Sequence, residues 1–150
     1  MKIGKKVAII LLVVFVGIQF VPTKRNQSDN ISASDIMIVY NVPEQIEKKI
    51  KASCYDCHSN NTQYPWYNKI QLSAWIMEGH INDGKKELNF STFGDYSGRR
   101  KKSKLKSIIS QIRDDEMPIS SYTFIHRNAK LSEKDKFMLD KWLNNLSDSL

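Results

Sequence analysis

Cys54, Cys57 and His58 carry the first chemistry legible in this chain. They stand together as Cys54-Tyr55-Asp56-Cys57-His58 and include both cysteines of the sequence. Two thiols three positions apart cannot staple distant segments; they form a local redox pair or they bind something. Cys-x-x-Cys-His is the pattern of covalent haem c attachment. Thiols at this separation reach the two vinyl groups along one side of the macrocycle and become thioethers. The residue that follows brings an imidazole under the iron. The expectation is one covalent haem c, attached through Cys54 and Cys57, with His58 as proximal iron ligand. Two other chemistries compete. A thioredoxin-like dithiol needs a βαβ setting, which this region lacks. A structural zinc site needs four ligands. His80 or His126 would have to complete it, and the adjacent Cys57 and His58 suit a tetrahedron poorly.

The sixth iron position calls for a second ligand, commonly His or Met in electron-transfer haem proteins. The chain has five methionines and three histidines. Met1 lies in the N-terminal segment, Met37 precedes the haem motif, and Met77 and Met138 fall inside predicted helices, where core packing is their ordinary role. Met117 differs. It precedes Pro118 in a predicted loop, with a terminal helix still to come. A loop residue can reach over a haem, so Met117 is the expected distal ligand, with His126 and then His80 as alternatives.

The elements that must position these residues read as helices. Asn41 and Pro43 open a helix, and Val42, Ile46, Ile50 and Cys54 keep helical spacing, so this helix delivers Cys54. Residues 60–62 form a turn and 64–67 an aromatic, proline-stiffened segment. Residues 73–82 suit a second helix that Gly84 could end. Residues 88–94 read as a loop or a short extended piece. Leu105, Ile108, Ile109 and Ile112 share one face of a helix with a basic first half, residues 99–106. Ser132 and Asp135 form a capping pair for a last helix. Its apolar stripe is Phe137, Leu139, Trp142, Leu143 and Leu146. No alternating strand pattern or repeat is present, so the fold class is all-α.

The N-terminus is of a different kind. The formal charge is +7, of which residues 1–25 hold +5 with no acid, leaving +2 for the rest. The basic character is therefore local and gives little support for nucleic-acid binding. Lys2, Lys5 and Lys6 precede the apolar run Val7–Val21, and a polar stretch follows from Pro22. A basic start and an apolar run form a secretory signal pattern, without a small-x-small cleavage site. As a helix the run spans about 22 Å, short of a hydrocarbon core of roughly 30 Å; flanking Lys and Arg can snorkel to close the gap. The expectation is a transmembrane signal anchor over residues 1–25, a linker over 26–35 and the haem domain over 36–150. That domain would face the periplasm from the bacterial inner membrane.

The order of helix, CxxCH, aromatic loop, helix, Met-Pro loop and terminal helix resembles a class I cytochrome c. A nearer resemblance is to the bacterial haem-binding domain family. It is carried by Cys54-Tyr55-Asp56-Cys57-His58-Ser59-Asn60, Thr62, Tyr64-Pro65-Trp66-Tyr67, Trp75, Gly84 and Leu88-Asn89-Phe90-Ser91. Glu116-Met117-Pro118, Tyr122, His126, Leu131-Ser132 and Trp142 follow, so the likeness covers about residues 36–146. It implies haem c binding at an exported site and no particular substrate. Relatives often carry proline where this chain has Leu72. In cytochromes c a proline carbonyl commonly orients the haem histidine, so the acceptor for His58 is left open here. An iron with both axial positions filled offers no place for substrate. The expected function is thus electron transfer between redox partner proteins rather than catalysis. The alternative is a haem-based sensor or peroxidase-like protein with an open or displaceable distal ligand.

Overall fold

The computed structural model describes residues 3–28 and 30–150. Met1 and Lys2 of the basic start, and Asp29 of the linker, lie outside the described residues. Eight α-helices follow in order: α1 (Ile3–Ile18), α2 (Ile36–Val39), α3 (Glu44–Ser53), α4 (Tyr55–His58), α5 (Ser73–Glu87), α6 (Gly98–Arg113), α7 (Ser120–Ile125) and α8 (Glu133–Asp148). Three 3₁₀ turns, Trp66–Lys69, Phe90–Asp95 and Arg127–Ala129, connect them. No strand occurs among the described residues, in agreement with the all-α reading.

The core is built from three short apolar stripes. Ile46 and Ile50 of α3, Leu105, Ile109 and Ile112 of α6, and Leu139, Leu143 and Leu146 of α8 are all buried. Their spacings of three and four residues put each set on one helical face. Phe90 and Phe93 project from the 3₁₀ turn into the same core, with Ile36 of α2. Polar ties fix the register. Ser132 and Asp135 form the expected capping box at the start of α8. Lys49 pairs with Asp135 at 2.9 Å, and the Ser53 hydroxyl donates to the Ala129 carbonyl at 2.8 Å, so α3 is held against the approach to α8.

Four expectations need correction. The transmembrane signal-anchor helix is overturned, because no helix among the described residues is long and apolar enough to cross a membrane. α1 has 16 residues, about 24 Å at 1.5 Å per residue. Past Ile18 the N–H groups of Gln19, Phe20 and Val21 turn back to Val16, Gly17 and Ile18, ahead of Pro22, which cannot continue a helix. The Gln71 backbone N–H donates to Gln19 Oε1 at 2.9 Å, and the Gln71 side-chain amide donates to the Val21 carbonyl at 2.5 Å. Second, α3 starts after Pro43, whereas Asn41 takes a left-handed φ of 43° and does not cap it. Third, Gly84 lies inside α5 rather than ending it. Fourth, Phe137 is 72% exposed and is absent from the core stripe of α8.

Leu143→Ala should therefore cost about 2–5 kcal/mol of stability through the cavity it leaves. Phe137→Ala should stay within about 0.5 kcal/mol. Chemical denaturation midpoints of the two variants check this; equal losses would put Phe137 back in the core.

Candidate functional site: a cavity walled by the Cys-x-x-Cys-His turn

Cys54 is the break between two helices. Its φ of −131° closes α3, its N–H donates to the Ile50 carbonyl at 2.9 Å, and its own carbonyl accepts from the His58 N–H at 2.9 Å. The single turn of α4 that results puts Cys54, Cys57 and His58 on the wall of one cavity of about 510 Å³. That size falls within the roughly 300–1,000 Å³ of ligand sites. Phe90, Ile108 and Ile112 make part of its apolar lining, and Met117 belongs to the same wall set.

The orientation of His58 answers the question that Leu72 left open. His58 Nδ1 lies 2.9 Å from the Gly84 carbonyl and 3.1 Å from the Leu88 carbonyl. Carbonyls only accept, so Nδ1 carries the proton and donates. Nε2 then keeps its lone pair, which is the tautomer a metal ligand requires. Leu72 has no part in this contact, and its φ of 78° is one that proline could not adopt.

Gly84 makes the approach possible. A Cβ at this position would stand 2.6 Å from the Cys57 carbonyl oxygen and 3.2 Å from the Cys57 Cβ. Only a residue without a side chain lets α5 come close enough for its carbonyl to reach His58.

Hydrogen bonds knit the loop after α4 to the rest. The Tyr122 hydroxyl donates to Asp56 Oδ2 at 2.7 Å, and the Gln63 N–H donates to Asp56 Oδ1 at 2.9 Å. Asn26 reaches in from the N-terminal side. Its side-chain amide donates to the Ser59 carbonyl at 2.8 Å and to Thr62 Oγ1 at 2.9 Å, and its Oδ1 accepts from Lys85 Nζ at 2.6 Å. The Asn26 backbone N–H donates to Tyr64 Oη at 2.6 Å. Nothing in the sequence marks Asn26 for this, since its partners lie 33 to 59 residues away.

The candidate sixth ligands separate. Met117 follows a reversal at Asp115, whose φ is 58°. The Gln111 carbonyl accepts from the N–H groups of Glu116 and Met117 at 3.0 and 3.1 Å, and the Gln111 side chain donates to Glu116 at 2.7 Å. Met117 thus lines the cavity while remaining 37% exposed. His80, exposed on α5, also lines it. His126 is not on that wall. Its Nε2 lies 2.6 Å from the Tyr67 hydroxyl, and its ring stacks on Tyr122 with centroids 4.4 Å apart.

The thiols are poor nucleophiles. Burial pushes Cys54 up to about 12, helped by the neighbouring Cys57, and burial followed by the Asp56 charge pushes Cys57 up to about 11. A redox dithiol needs the opposite shift. Among the described residues no three His, Cys, Asp or Glu side chains converge as a zinc ion would require. The donor set instead suits a flat apolar group with a metal at its centre. It offers an imidazole with its lone pair free, a thioether sulfur on the same cavity and largely apolar walls.

An all-helical domain with this donor set around one apolar cavity is a haem-type protein. The chain belongs to the haem-binding domain family, whose model matches residues 13–145. No curated protein and no solved structure matches it. Haem is accordingly the cofactor for which the cavity is built.

Two glycines of α5 make a controlled test of the close approach. Gly84→Ala should destabilise the protein by about 1–3 kcal/mol through overpacking and reduce its haem content. Gly79→Ala meets nothing within 4 Å and should stabilise it by up to about 1 kcal/mol through helix propensity. Thermal unfolding and haem-to-protein ratio report both, and equal behaviour of the two variants would remove the special role of Gly84.

Proposed function

We propose that this chain is an exported c-type cytochrome that passes electrons between redox partner proteins and is not an enzyme. In this reading Cys54 and Cys57 hold haem c covalently, His58 is the proximal ligand and Met117 the distal one. The observation that carries it is the His58 tautomer: two carbonyls occupy Nδ1, so Nε2 is free on the cavity that Met117 also lines. Bound haem would supply reversible one-electron chemistry. The protein residues orient the imidazole, exclude water through Phe90, Ile108 and Ile112, and offer a soft sulfur that favours reduced iron and raises the potential relative to a second imidazole. The raised thiol pKa values fit cysteines that serve as attachment points rather than as a redox pair. The basic start and apolar run of the N-terminus suit a secretory signal. The proposal accordingly puts residues 30–150 on the periplasmic side of a bacterial inner membrane.

One observation favours a second reading, a haem-based sensor or peroxidase-like protein. Met117 keeps 37% of its surface exposed, on a loop whose Asp114, Asp115 and Glu116 are exposed too. A ligand held this loosely could leave.

Haem colour should stay with the polypeptide through acid–organic extraction and denaturing electrophoresis, since thioethers survive what axial ligation does not. Loss of colour from the denatured band would refute covalent attachment. The oxidised protein should be low-spin with a weak far-red sulfur-to-iron band. Met117→Ala should abolish that band and open the iron to carbon monoxide, while His126→Ala should leave it in place. A wild type that binds carbon monoxide readily would favour the sensor reading.

The partner side of the proposal rests on α6. Arg99, Arg100 and Lys101 crowd its first turn with no acid there, where cations oppose the macrodipole by about 0.3–1 kcal/mol each. Among the described residues Arg99, Arg100, Lys101, Lys102 and Lys106 make no ion pair. Lys104 of the same helix lines the cavity. Arg100 lies over the Tyr96 ring at 4.4 Å and Lys101 over the Tyr40 ring at 5.9 Å; Arg99, Lys102 and Lys106 have neither contact, and an acidic partner surface would supply their counter-charge. Neutralising Arg99, Arg100, Lys101 and Lys102 should leave the haem spectrum unchanged. Electron transfer with an acidic partner should slow at low salt and lose its salt dependence. Equal rates for both proteins at low ionic strength would make the patch a merely solvated face.

A further inference from the structure

We infer that the face formed by the end of α1, the 3₁₀ turn Trp66–Lys69 and the first turn of α5 seats flat on an anionic lipid surface. The inference does not depend on the identity of the iron ligands, and it does not require α1 to cross a bilayer.

The face is apolar and open. Phe20 is 83% exposed, Trp66 74% and Ile76 62%, and Val21, Leu72 and Trp75 are exposed with them. Trp75 and Ile76 stand in the first turn of α5, and Leu72 immediately precedes it. The two Gln71 hydrogen bonds to Gln19 and Val21 fasten the end of α1 against the start of α5. The apolar surface of α1, whose residues 7–16 are exposed on every side, therefore continues into that of the folded domain. Contiguous exposed apolar surface of this kind marks an interaction site.

Charge and residue type select the occupant. Lys24, Arg25 and Lys69 belong to the segments that build this face, residues 19–26 and 62–77, and neither segment contains an acid. Tryptophan with flanking Lys and Arg is the composition of a membrane–water interface, where the ring lies at headgroup depth and cations meet lipid phosphates. The exposed side chains named on this face are apolar or basic, a pairing that lipid tails and phosphates meet together. Leu72 adds a backbone argument. Its φ of 78° costs on the order of 1–3 kcal/mol and persists only where neighbours over-determine it. Gln71 beside it is fixed from both of its amide groups, and the strained residue keeps its side chain outward.

Hydroxyl-radical footprinting of the full haem-loaded chain tests the seat. The protein is labelled alone, with phosphatidylcholine vesicles, and with vesicles that also contain phosphatidylglycerol. On the anionic vesicles, oxidation of Phe20, Trp66 and Trp75 should fall several-fold, while Phe137 on α8 stays unchanged. Protection should be weaker on the neutral vesicles. If the chain sediments with anionic vesicles and Trp66 and Trp75 oxidise as before, α1 alone binds and the proposed face is refuted. Equal protection on both vesicle types would overturn the choice of an anionic surface. Protection already complete without lipid would assign the face to a second copy of the chain instead.

Discussion

The contact between α4 and α5 is the constraint from which the site follows. The Gly84 carbonyl accepts from the Leu88 N–H at 2.9 Å and from His58 Nδ1 at 2.9 Å. One backbone oxygen thus accepts from the C-terminal cap of α5 and from the imidazole that the proposed function assigns to the iron. It can do so only because position 84 has no side chain, which would collide with the Cys57 carbonyl. The same closeness brings α5 against Cys57, while Cys54 packs on the apolar core. The orientation of His58 thus depends on one missing methyl group.

The core explains why a cofactor belongs here. α3, α6 and α8 bury a continuous apolar cluster on one side of the α4 turn, but on the other side the walls enclose a cavity of about 510 Å³. A largely apolar cleft of this size is the usual form of a ligand site. In a chain of 150 residues a large flat group is a sizeable part of the apolar material available to the fold. Phe90 belongs to both sets, core and cavity wall, and stacks on Tyr55 at 5.4 Å. Filling the cavity therefore acts directly on the packing of the core.

Much of this was legible in the sequence, and what was not has a common physical cause. The Cys-x-x-Cys-His turn, the amphipathic stripe of α6 and the capping box of α8 are local patterns within one or two helical turns. The acceptors for His58 lie 26 and 30 residues away, and no local signal selects them. Gly84 is ambiguous for the same reason: glycine near the end of a helical pattern serves a cap or a close approach, and only the neighbouring helix decides which. The apolar run of the N-terminus reads as a span when counted alone. Gln71, fifty residues on, bonds the Gln19 side chain and the Val21 carbonyl just past the end of α1. Residues 90–95 form a 3₁₀ turn rather than a loop or extended piece because the Asn89 side chain caps it, accepting from the Ser91 N–H at 3.0 Å.

The two sides of the cavity are held with unequal firmness, and this bears on which ligand exchanges in either functional reading. His58 is gripped by two backbone carbonyls of a long helix and its exit, backed by Phe90. Its turn is further tied through Asp56 to Tyr122 and Gln63. Met117 rides on a short reversal tied through Gln111, Ser110 and an Asp115–Lys136 ion pair, and Asp114, Asp115 and Glu116 around it are exposed. Segments with few buried contacts and exposed hydrogen bonds open at lower free energy than the core. Any change of coordination would begin on the Met117 side, with His58 and its turn left in place. An electron carrier needs that loop to stay closed, and a sensor needs it to open. Between the two proposed readings, the free energy of this one loop is the quantity that differs.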